Sequence, residues 1–169
     1  MSKEYIKKDV EKLIKRCGSR DPFEICASIG LNVRFADLGN LKGMYKYYKR
    51  NRYALINSEL DENMQKIVCA HELGHDRLHQ HFAKDHCLQE FMLYDMRSRP
   101  EYEANLFASE LLIADDDILE FVNEGCDIEQ TARSLNTDVN LVAIKLASMN
   151  TRGFGFIIST THKSDFLGK

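Results

Sequence analysis

Five consecutive residues carry the strongest chemical signal in the chain: His71-Glu72-Leu73-Gly74-His75. Two histidines four positions apart share one face of an α-helix, so their imidazoles can reach a common point. Neutral imidazole nitrogen is a preferred zinc donor, at about 2.0–2.1 Å from the ion. Glu72 lies one position on, about 100° around the helix. From there it can reach a water beside a bound metal rather than the metal itself, which is where a general base is needed. Leu60, Met64, Ile67, Val68 and Leu78 fall near the same stripe, so the histidine face should point into the protein. Gly74 weakens a helix by roughly 1 kcal/mol relative to alanine. It makes sense where another backbone or a substrate must come close.

A catalytic zinc site takes three protein ligands and leaves a fourth position open. His79 continues the spacing but lies about 12 Å from His71 along the axis, at 1.5 Å per residue. Three side chains strung along one helix do not surround a tetrahedral ion, so the third ligand should come from another element. The helix that opens at Pro100 offers Glu101 and Glu103. Projected at 100° per residue, Glu101 falls between Ala108 and Leu112, flanked by Ala104 and Asn105, on a face small enough to pack closely. Glu103 falls beside Glu110 on the polar side. The projection therefore selects Glu101 as the inward ligand and leaves Glu103 exposed. The helix dipole alone favours an acid in the first turn, but it does not explain one that faces the core. His79 and Asn105, each one turn from a ligand, are placed to orient the ligands.

These residues need elements to hold them. Residues 4–17 and 21–30 read as two short helices, the first with Ile6, Val10, Leu13, Ile14 and Cys17 at helical spacing, the second opened by Asp21-Pro22 and closed by Gly30. Three strand-like stretches follow at 31–37, 44–49 and 52–57, the last two joined by a turn at Arg50-Asn51. Ser58-Glu59-Leu60-Asp61 reads as a capping box that starts the histidine helix, which runs to about residue 80. Residues 81–98 read as mixed, with a loop. Ser98-Arg99-Pro100 starts the next helix, which runs to about Ile113, and helices over 115–124 and 127–148 follow. Residues 154–159 are a candidate final strand. The reading is one α+β unit over 1–169, mostly helical, with a small three-stranded sheet.

A chain of 169 residues can bury a core without disulfides. The net charge of −3 gives no general attraction to nucleic acid or an anionic membrane. No apolar run approaches the ~18 residues that span a bilayer, and the charged start Met1-Ser2-Lys3-Glu4-Tyr5 lacks the apolar core of a signal peptide. Cys17, Cys26, Cys69, Cys87 and Cys126 are odd in number, widely spaced and without a C-x-x-C pair, which points to free thiols in a reducing compartment. A cytoplasmic protein is the expectation.

His71-Glu-Leu-Gly-His75 followed by Glu101-Tyr-Glu-Ala-Asn-Leu-Phe-Ala-Ser-Glu-Leu-Leu112 resembles the ImmA/IrrE family of metallo-endopeptidases. That family pairs an H-E-x-x-H helix with a helix of pattern E-x-x-A-N-x-F-A-x-x-L-L. The likeness extends more weakly from near Asp21 through Gly43 and the hairpin to about Ile144. It implies a minimal zincin-like fold of gluzincin type. It also implies one zinc per chain on His71, His75 and Glu101, with Glu72 as the catalytic glutamate. Members commonly carry Leu-Leu-x-Pro where this chain has Leu111-Leu112-Ile113-Ala114, a change to a helix stop rather than to a ligand.

The mechanism expected is peptide-bond hydrolysis with Glu72 moving the water's proton to the leaving amine. The donor for the developing oxyanion is not singled out; Tyr94, Arg99, His79 and His162 are the candidates, while His81 and His86 read as exposed. The hairpin 44–57 could offer an edge to an extended peptide, or be an edge guarded by Lys46, Lys49, Arg50 and Arg52. The resemblance implies a helix-turn-helix transcriptional repressor as substrate. The alternative is a non-catalytic zinc module that sequesters that repressor. Within 115–150, Ile128, Ala132, Leu135, Val139, Val142 and Leu146 form an apolar skeleton like a helix-turn-helix. Asp127, Glu129 and Asp138 stand there against Arg133 and Lys145, which argues against phosphate binding.

Overall fold

The computed structural model describes residues 4–81, 88–90 and 98–157. Helix α1 (Glu4–Cys17) buries Ile6, Val10 and Leu13 at helical spacing. Helix α2 (Pro22–Ile29) starts where Asp21 accepts hydrogen bonds from the amides of Phe23 and Glu24. It ends at Gly30, whose φ of 73° is the left-handed geometry a C-cap needs. Strands β1 (Asn32–Ala36), β2 (Gly43–Tyr48) and β3 (Asn51–Asn57) follow, with β1 parallel and β2 antiparallel to β3. The β2–β3 turn sits at Lys49-Arg50, one residue earlier than expected, with both residues at positive φ.

Helix α3 (Glu62–Leu78) is capped by Asp61, whose side chain accepts from the Met64 amide at 2.7 Å. The capping-box reading therefore placed the start three residues early. A short strand β4 (Leu88–Glu90) pairs with Gly43–Tyr45, so the sheet has four strands in the order β1-β3-β2-β4 rather than three. The fourth pairing was not legible because three residues carry no periodicity. It also closes the edge expected on the hairpin: β2 and β3 are interior, and the edges are β1 and β4.

Helix α4 (Arg99–Leu112) is capped by Ser98 and packs along α3, with α1 and α7 on its other sides. Helix α5 (Asp115–Asn123) follows. The expected helix over 127–148 is two, α6 (Ile128–Ser134) and α7 (Val139–Thr151), because Asp127 and Asp138 each cap a helix and Asn136 turns the chain at φ 47°. Residues 154–157 are not strand; the remainder of that candidate lies outside the described residues. The core lies between the inner face of the sheet (Tyr45, Ala54, Ile56) and α2, α3 and α4. Cys17, Cys26, Cys69 and Cys126 are free thiols; Cys87 lies outside the described residues.

Candidate metal centre

The histidine helix is buried along most of its second half, and His71, Glu72 and His75 are at most 2% exposed. Helix α4 crosses at Gly74. A Cβ there would meet Ala104 Cα and Phe107 Cβ at 3.1 Å, so the glycine sets how closely the two helices approach. That approach brings Glu101 over the histidine pair. His71 Nε2 and His75 Nε2 are 3.0 Å apart, and Glu101 lies 3.2 Å from the first and 3.5 Å from the second. These three ligand atoms fall within 4.8 Å of one another and are the one such cluster among the described residues.

The surroundings fix where the ring protons sit. His71 Nδ1 is 2.9 Å from the Asn105 side-chain oxygen, an acceptor, so Nδ1 carries the hydrogen and Nε2 carries a lone pair. His79 Nε2 is 3.1 Å from a Glu103 carboxylate oxygen, so His79 donates there and its Nδ1 is left as an acceptor. That Nδ1 is 3.0 Å from His75 Nδ1, which therefore donates and leaves a lone pair on His75 Nε2. Neutral rings are what burial favours: it pushes His75 down to about 4, against the opposing pull of Glu101. Burial lowers His79 as well, against Glu103.

Two imidazole lone pairs and a carboxylate oxygen thus converge with no proton between them. Glu101 Oε2 is buried and has no hydrogen-bond donor among the described residues. Such a cluster is repulsive by itself and becomes favourable around a cation, so the donor set fits a divalent metal.

The family model described as the IrrE N-terminal-like domain, a peptidase family, matches residues 26–147. The chain is also 36% identical over 141 residues to "Uncharacterized immunity region protein 2" of Bacillus phage phi105, covering 83% of this chain and 88% of that one. The chain belongs to the ImmA/IrrE family of metallopeptidases. It is 30% identical over 152 residues to "Metallopeptidase ImmA" of Bacillus subtilis (strain 168), with 86% of each chain covered. The mostly helical α+β architecture is that of a zincin-like ImmA/IrrE domain. Helix α1 stands outside the region matched to the family model.

Four residues in and around the site escaped the sequence reading. Glu103, expected on the exposed side, is 8% exposed and bonded to His79 and to Arg99 Nε at 2.7 Å. The projection placed its backbone correctly but could not show that His79 would reach it. Glu110, expected on the same polar side, is buried against Lys145 Nζ at 2.5 Å. Asp76 is fully buried and takes hydrogen bonds from Tyr45 Oη and Arg52, each at 2.8 Å, which ties the end of the histidine helix to the sheet. Gly43 is the fourth: a Cβ there would lie 2.5 Å from Glu72 Oε1, so β2 runs directly over the glutamate. A lone glycine opening a strand pattern was the available signal. Of the oxyanion candidates, Arg99 and His79 are engaged with Glu103; Tyr94 and His162, like His86, lie outside the described residues. His81 is exposed.

Proposed function

We propose that this protein is a zinc-dependent endopeptidase. Zinc is held by His71, His75 and Glu101, one ion per chain, and Glu72 is the general base. The observation that carries the reading is the convergence of three ligand atoms, with Asn105 and His79 set against the outer nitrogens of the two rings, where they favour the required tautomers. When bound, zinc supplies Lewis acidity, polarising the scissile carbonyl and bringing a water toward a pKa of ~7. The chain's own residues do the rest. Asn105 and His79 hold the imidazoles. Glu72 accepts a proton on its carboxylate from the attacking water and delivers it to the leaving nitrogen. Burial of Glu72 and its cover by β2 exclude bulk water from that carboxylate.

The substrate we infer is a helix-turn-helix transcriptional repressor in the cytoplasm. One relative is named as an immunity region protein of a phage and another as a metallopeptidase, which supports action on an immunity repressor. No described helix is long and apolar enough to cross a membrane. The α6–α7 segment gives little support for DNA binding. Its Lys145 is buried between Glu110 and Asp115, which leaves Arg133 against Asp127, Glu129 and Asp138 at the surface.

The test combines elemental analysis with co-expression of candidate helix-turn-helix immunity repressors with wild type or Glu72→Gln. One zinc per chain, with repressor fragments only beside wild type, is expected. Full biological activity from Glu72→Gln would instead make the protein a sequestering module.

A further inference from the structure

Behind His75, away from the ligand cluster, a line of polar contacts runs outward through the protein. His75 Nδ1 meets His79 Nδ1 at 3.0 Å, and His79 Nε2 meets Glu103 Oε2 at 3.1 Å. The other carboxylate oxygen, Oε1, takes Arg99 Nε at 2.7 Å. Tyr5 on α1 also interacts with the Glu103 carboxylate. His79 and Glu103 are buried, while Arg99 and Tyr5 reach solvent. We propose that Glu103 is a positioning residue for the metal centre. Acting through His79, it fixes the tautomer and orientation of His75, and Arg99 and Tyr5 hold it in place.

The argument is one of donors and acceptors. A neutral imidazole has one of each, and only its partner decides which nitrogen is which. Glu103 is a pure acceptor, so it forces the His79 hydrogen onto Nε2. His79 Nδ1 then presents a lone pair to His75, which must put its own hydrogen on Nδ1 and its lone pair on Nε2. Removing Glu103 removes that selection. With its hydrogen on Nδ1, His79 would face the His75 Nδ1 hydrogen at 3.0 Å, donor against donor. His75 would then rotate or move its hydrogen to Nε2, the atom needed for the metal. Carboxylates behind a ligand histidine are a general device for this purpose; here the carboxylate acts one histidine further out.

The outer end adds a second point. Tyr5 belongs to α1, which lies outside the region matched to the family model, so an element beyond that region reaches the outer end of the relay. Arg99 and Glu103 are four apart on α4, so one helix face holds the carboxylate from below while Tyr5 holds it from α1.

The proposal rests on the metal site described above, and the test separates the two. Metal-free protein is titrated with cobalt(II) and with zinc against a chromophoric chelator, and the cobalt absorption spectrum is recorded. Wild type that takes up no metal would sink the metal-site reading itself. Given wild-type binding, Glu103→Leu is expected to lose roughly 10–100-fold in affinity and to change the cobalt bands. Glu103→Gln should recover part of the loss, since its one amide oxygen can still accept from His79. Tyr5→Phe should lose a smaller amount in the same direction. In a His79→Leu background the same Glu103→Leu change should cost nothing further, because its effect travels through His79. A merely structural role would lower the melting temperature of the metal-free protein, leave the cobalt spectrum unchanged, and add to the His79→Leu loss. Wild-type affinity and spectrum in Glu103→Leu, or full additivity with His79→Leu, would overturn the proposal. Should Glu103→Leu not fold, the same criteria applied to Glu103→Gln decide it.

Discussion

Gly43→Ala tests whether the first residue of β2 is the roof over Glu72. An added Cβ would stand 2.5 Å from both Glu72 Oε1 and Val68 Cγ1, and 3.3 Å from Glu72 Cδ. Ordinary contact begins near 3.4 Å, so about 0.9 Å must be found (3.4 less 2.5). Neither neighbour can swing out, since Val68 and Glu72 are both 0% exposed. Nor can the strand bow freely, because Gly43 is paired with Ile56 on one side and Glu90 on the other. Overpacking of this kind costs ~1–3 kcal/mol, and replacing a strand glycine returns ~0.5–1 kcal/mol. The net loss of ~0–2.5 kcal/mol should lower Tm by at most about 10 °C, at ~2–4 °C per kcal/mol for a chain of this size. The larger effect falls on chemistry: displacing a reacting group by about 1 Å can cost ~10²-fold in rate. The three atoms nearest the Cβ belong to Glu72 and Val68 and not to His71, His75 or Glu101, so zinc affinity by chelator competition should match wild type. The signature is therefore repressor cleavage lost, zinc retained and a modest drop in Tm. Wild-type cleavage with an unchanged Tm would refute the crowding argument. Loss of zinc together with activity would show that the strain spreads along α3 instead of resting on the carboxylate.

Further expectations follow from the same contacts. Glu72→Gln should keep zinc and fold while losing the ~10²–10⁴-fold contribution of a general base, read as repressor fragments on a blot. Glu101→Ala should abolish tight zinc binding in a chelator competition, because it removes one of three ligand atoms; wild-type affinity would mean the third ligand is elsewhere. Lys145→Met should cost ~3–5 kcal/mol in urea unfolding, as expected for breaking a buried pair, since it strips Glu110 of a partner at 2.5 Å. The value should fall at the lower end, because Arg152 lies 3.8 Å from the same carboxylate. For acid stability, burial works against Asp115, but hydrogen bonds from Arg152, Lys145 and Lys7 hold its folded-state pKa well below the ordinary value. Its contribution is therefore present above pH ~4 and is lost as pH falls below that, where the unfolded chain takes the proton first. The urea midpoint should fall between pH 5 and 2, and less steeply in Asp115→Asn.

What the sequence determined by itself was local and periodic. The four-residue spacing of His71 and His75 put two imidazoles on one helical face, and the projection from Pro100 turned Glu101 toward them; the fold brings those three together. His79 and Asn105 were found for the same reason, lying one turn from a ligand on a known helix. Helix starts at Asp21 and Ser98 were legible because a capping side chain bonds an amide two or three residues away. What only the tertiary structure decided depends on partners distant in the chain. Glu103 looked exposed on its own helix but is covered from α1 and α3, whose residues lie 98 positions before it in the case of Tyr5 (103 less 5) and 24 in the case of His79. Glu110 was similarly placed with the polar face until α7 brought Lys145 against it. Strand β4 is too short to show a period and exists because β2 offers it an edge. Gly43 gave only a hint, since what it makes room for, a carboxylate 29 residues on (72 less 43), is set by how the sheet lies across α3. Side-chain spacing determines which groups share a face; which polar group on that face is buried and paired is settled by the element that packs over it.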